Sequence, residues 1–133
     1  MPRVRTEDLL QEIAELSESL GSLVEGLESR PPTEMQVWTI YAGTEKVVAI
    51  LKFRMGVERP GVFSVLPKAQ RPVELLPVAL ERITEGARKI RDNQLAGGLE
   101  ALRGARDHLR AYLSDERKLR MRSRRRAASP TSS

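Results

Sequence analysis

"TEMQVWTIYAGTEKVVAILKFRM", Thr33 to Met55, is the stretch on which the fold of this chain turns. Thr33-Glu34-Met35-Gln36 has the spacing of a capping box, a helix start directly after Pro31-Pro32. From there Val37, Tyr41, Thr44, Val48, Leu51 and Met55 fall on one helical face. The same residues are rich in β-branched side chains. Ala42-Gly43-Thr44-Glu45 could instead turn a β-hairpin across 37–53. A helix makes the protein all-α, a small bundle of about four helices, whereas a hairpin makes it α+β. The helical reading is the preferred one, with Trp38 as a core anchor.

The flanking segments favour helices. Leu9, Ile13, Leu16, Leu20, Leu23 and Leu27 alternate spacings of four and three, a seam on a helix over 6–29 with Thr6 as its N-cap. This seam is a candidate interface for a homo-oligomer or a hetero-complex. After Pro72 the rhythm returns in Val73, Leu76, Leu80, Ile83, Ala87 and Ile90, with Pro77 either kinking that helix or marking its start. Residues 91–94 read as a tight connection. A last helix over 94–113 buries Leu95, Leu99, Leu102, Ala105, Leu109 and Leu113, and Gly97-Gly98 lets it approach a neighbour closely. Between the two halves, residues 56–71 hold turn formers and no period, with Phe63, Val65 and Leu66 to tack them down.

Charge divides the chain differently. The net charge is +5, with 18 Arg against 5 Lys. Residues 114–133 carry Arg117, Lys118, Arg120, Arg122, Arg124, Arg125 and Arg126 against Asp115 and Glu116, and so hold the whole excess. Residues 1–113 are neutral, although residues 1–34 alone carry −5. The sequence thus reads as a bundle domain, 1–113, followed by a basic tail, 114–133. No Gly or Pro interrupts 114–128, and Arg103, Arg106, Arg110, Arg117, Arg120 and Arg124 keep heptad spacing across the boundary. The tail can therefore extend the last helix as an Arg-rich arm, suited to phosphate backbones. With no aromatic residue in the arm, backbone contact rather than base stacking is the expected mode. DNA and RNA fit equally.

Chemistry is sparse. There is no Cys, which removes thiolate catalysis, disulfides and Cys-ligated zinc and suits a reducing cytoplasm. The one histidine, His108, has no second His for a metal site, and no nucleophile motif or Gly-rich phosphate loop occurs, so neither cofactor nor metal is expected. Few Asn and Gln among many charges also suit a thermophile. The longest aliphatic run, Val47 to Leu51, falls far short of the ~20 residues that span a bilayer. Arg103 and His108 resemble the two ends of the R-x4-H motif of HEPN ribonuclease domains, which cleave RNA with Arg and His paired across a dimer. Gly104 stands where that family usually carries a polar residue. The resemblance implies a ribonuclease; the residues read independently place His108 on a helix flank beside Ala105 and Tyr112. The expected function is a non-catalytic, nucleic-acid-associated protein, such as a subunit of a nucleoprotein or packaging assembly. The alternative is a helical interaction adaptor working through the first helix.

Overall fold

The computed structural model describes residues 5–56 and 66–128. Among them are four α-helices and no strand: α1, Thr6–Glu25; α2, Glu34–Met55; α3, Leu75–Arg91; and α4, Leu95–Ala128. A 3-10 turn, Pro72–Glu74, leads into α3.

The stretch 37–53, which could have turned a hairpin, is the interior of α2. Its start is fixed by the capping box. The Gln36 amide donates to Thr33 Oγ1 at 3.2 Å, and the Thr33 amide donates to Gln36 Oε1 at 2.8 Å. Its end is fixed by Gly56, whose φ of 70° is left-handed. Glycine 43, the centre of the alternative turn, lies mid-helix against Leu16. A Cβ there would come within 2.5 Å of Leu16 Cδ2, so the residue serves α1–α2 packing rather than a turn. The buried stripe of α2 is Val37, Ile40, Thr44, Val47, Val48 and Leu51, and the buried Thr44 hydroxyl donates to the Ile40 carbonyl.

At α1, Arg5 rather than Thr6 occupies the N-cap, with no side-chain cap, and the Thr6 hydroxyl instead accepts from Arg54 at 2.8 Å. The helix stops at Glu25, since Gly26 begins a turn in which Leu27 sits. Pro77 is the third residue of α3, where its missing N–H would have had no intrahelical partner. Between α3 and α4, Asn93 takes φ 62° and a Schellman closure forms. The Asn93 amide donates to Ile90 O and the Gln94 amide to Lys89 O.

The packing is a square. The α3–α4 contact is the most extensive, α2 packs on α4, and α1 packs on both α3 and α2. The diagonal pairs, α1 with α4 and α2 with α3, do not approach one another. Arg106 on α4 meets Glu45 on α2 and Arg120 meets Glu34, so these helices run antiparallel. With short links closing α1–α2 and α3–α4, the order is up, down, down, up. The end of α2 at Met55 and the start of the 3-10 turn at Pro72 therefore lie at opposite ends of the bundle. Leu66 packs on the core; Phe63 and Val65 lie outside the described residues. Between α3 and α4 the approach is set by Gly86 and Gly98. A Cβ on the first would lie 2.9 Å from Leu102 Cγ, and on the second 2.6 Å from Ile90 Cγ1. No helix among the described residues is long and apolar enough to cross a membrane.

The leucine seam of α1 turns inward. Leu9, Ile13 and Leu20 are fully buried in the chain's own core, while Leu16, Leu23 and Leu27 are partly buried and pack against it. The partner interface expected along all six is therefore withdrawn for Leu9, Ile13 and Leu20. Leu9, Ile13 and Leu20 are taken up inside the bundle, while the part-buried Leu16 and Leu23 also line a groove between α1 and α2.

Candidate functional site

Helix α4 crosses the boundary expected after Leu113 without a break and runs 34 residues, ~51 Å, against ~33 Å for α2. Leu113 is buried, whereas every described side chain from Arg117 to Arg125 is exposed. The ion pair of Arg120 with Glu34 marks the start of α2. The eight residues of α4 beyond it project ~12 Å further as a single helix.

The cations on this helix divide by direction. Arg110, Arg117, Arg120 and Arg124 line one wall of a groove between α4 and α2. Lys118, Arg122 and Arg125 are exposed on the adjoining face, by the same 3.6-residue geometry. Arg103 does not line the groove. Arg106 is engaged at its inner end, 3.4 Å from both Glu45 and Asp107, with its side chain only 21% exposed. The Arg126 side chain and residues 129–133 lie outside the described set.

The second wall was not legible in the basic stripe. Glu34, Trp38, Tyr41 and Glu45 recur at spacings of four, three and four on α2, on the flank beside its buried stripe. Trp38 is 46% exposed, so it lines the groove and is not a core anchor. It meets Tyr41 edge to face, with centroids 5.4 Å apart and planes at 87°. Met121 on α4, 53% exposed, adds a third polarisable surface. The groove encloses about 1000 Å³.

Its electrostatics are one-sided. Both carboxylates that enter it are paired, Glu45 with Arg106 and Glu34 with Arg120. Among the described residues, Arg110, Arg117 and Arg124 form no ion pair. The Tyr41 phenol is held above its ordinary range, first by burial and then by the neighbouring Glu45 carboxylate, against the opposing pull of Arg110. It therefore stays a neutral hydroxyl. Such a groove offers guanidinium donors to oxyanions and ring faces to flat groups.

The His108 ring is committed to its own helix, with Nδ1 donating to the Gly104 carbonyl at 2.7 Å. Among the described residues no group of three or more His, Asp or Glu side chains could hold a metal ion. No protein-family model, curated protein or solved structure matches this chain.

Proposed function

We propose that this is a non-catalytic, nucleic-acid-associated protein that holds phosphate backbone on the Arg-rich arm of α4. The observation that carries the reading is the continuity of α4. The basic block is one helical rod, rooted in the core at Leu109 and Leu113. A rooted rod presents Arg117, Lys118, Arg120, Arg122, Arg124 and Arg125 at fixed spacings, so ordering them on a polyanion costs little further chain entropy. Like charges on three turns repel, and phosphates remove that repulsion. The bundle then supplies the anchorage, and a place in a nucleoprotein or packaging assembly follows from this division of labour.

The test is binding to a labelled oligonucleotide across a salt series. The logarithm of affinity is expected to fall linearly with the logarithm of salt, with a slope magnitude near 0.7–0.9 per phosphate neutralised. Binding should be lost when residues 116–133 are removed. It should also be lost when Arg117, Lys118, Arg120 and Arg122 are changed together to Gln in a chain that retains its helicity. Binding that survives both changes overturns the reading.

A second reading, an interaction adaptor, is favoured by the outer groove between α1 and α2. That groove is lined by Leu16, Leu23, Ile40 and the exposed Met35. An adaptor of this kind keeps its partner after the arm is removed.

A further inference from the structure

We infer that the groove between α2 and α4 takes a single, unpaired nucleic-acid strand, with one base against Trp38 and the flanking phosphates on Arg117 and Arg124. The inference rests on the polyanion reading of the arm and deepens it by naming the form of the ligand.

A duplex hides its base faces, and an Arg-studded helix needs nothing else to hold its backbone. An exposed tryptophan in the same groove answers a different need. Trp38 is half exposed in a groove that also carries guanidinium groups, and its indole face suits a flat, uncharged ring. Tyr41 packs against Trp38 with the two rings at 87°, so the pair is not stacked face to face. Arg117 and Arg124 share the groove with this ring and carry no carboxylate partner among the described residues. The two acids present, Glu34 and Glu45, are held by Arg120 and Arg106 and so do not repel the strand as free charges would. Charge complementarity and an aromatic platform thus meet in a groove of about 1000 Å³. Every base has a ring face, so the site accommodates many sequences and distinguishes unpaired strands from duplex.

Trp38 is the only tryptophan of the chain, so its fluorescence reports on this groove alone. The experiment titrates the full chain with a short oligothymidylate and with a duplex of the same length, following both Trp38 emission and the anisotropy of labelled nucleic acid. The oligothymidylate is expected to quench Trp38, whereas the duplex binds through the arm with little quenching. Trp38→Ala should weaken single-strand binding about tenfold, leave duplex binding unchanged and leave the salt slope intact, because it removes no charge. Trp38→Phe should recover part of the loss. Single-strand binding without quenching, or unaltered in Trp38→Ala, overturns the inference while leaving the arm's phosphate binding standing. Absence of any binding removes both. A change in Trp38 emission that depends on protein concentration, without nucleic acid, assigns the groove to a second copy of the chain and also overturns the inference.

Discussion

Arg120 of α4 places its guanidinium Nη1 2.6 Å from Oε2 of Glu34, the first residue of α2, across 86 positions of sequence. Both side chains are about half exposed, so the pair contributes little to stability, about 0.5 kcal/mol. Its larger effect is on charge, because it occupies one of the groove's four arginines. Glu34→Gln is therefore expected to leave the urea midpoint nearly unchanged and to tighten oligonucleotide binding about threefold at low salt. A fluorescence-anisotropy titration checks the sign.

Glycines 98 and 21 are expected to respond oppositely to alanine. At Gly98 the new methyl would meet Ile90 Cγ1 at 2.6 Å and the Gly86 carbonyl at 3.3 Å, forcing α3 and α4 apart. A loss of about 1–2 kcal/mol should appear in urea unfolding, even after the gain in helix propensity. At Gly21, inside α1, nothing lies within 4 Å, and the same change should raise stability by up to about 1 kcal/mol.

Thr33→Ala removes the acceptor of the Gln36 amide and dissolves the capping box at the head of α2. Stability should fall by about 1 kcal/mol in thermal or urea unfolding. Thr33→Ser should restore most of it, since the hydroxyl rather than the methyl carries the interaction.

Tyr112 is buried, and burial, aided by the Glu116 carboxylate, pushes its phenol up to about 12 from an ordinary 10.0. Between those values the unfolded chain sheds a proton that the folded chain keeps. The Tyr112 contribution is intact below pH 10 and is lost as pH rises toward about 12. Wild-type protein should lose stability more steeply over that interval than Tyr112→Phe, as read from urea midpoints at successive pH values.

The presence of the helices and the start of α2 were legible because local chemistry dictates them, while the N-cap of α1 fell to Arg5 rather than Thr6. The capping box at Thr33 needs only neighbouring residues, whereas α1 ends at Glu25, well short of the prolines expected to stop it. The heptad rhythm of α1 was legible too, but not its destination. A stripe of leucines serves another chain or its own bundle equally well, and only the burial of Leu9, Ile13 and Leu20 decides which. Trp38 was misread for a related reason. Its spacing puts it one step off the apolar stripe, and whether that flank is covered depends on α4, distant in sequence. The register of the arginines from Arg106 to Arg124 could be projected along one helix. The wall of Trp38 and Tyr41 that faces them could not, since it arises from tertiary pairing.

The square arrangement, with α2 and α3 on a diagonal out of reach of each other, has a kinetic corollary. Each half of the molecule, α1 with α2 and α3 with α4, closes over a few residues, so both hairpins can form early and independently. The remaining event is a single docking of the two hairpins, whose joined ends, at Met55 and Pro72, lie at opposite ends of the bundle. Shortening the connection between the hairpins is expected to slow or block refolding well before it affects either hairpin, and each doubling of its length should cost only about 0.6 kcal/mol of closure free energy.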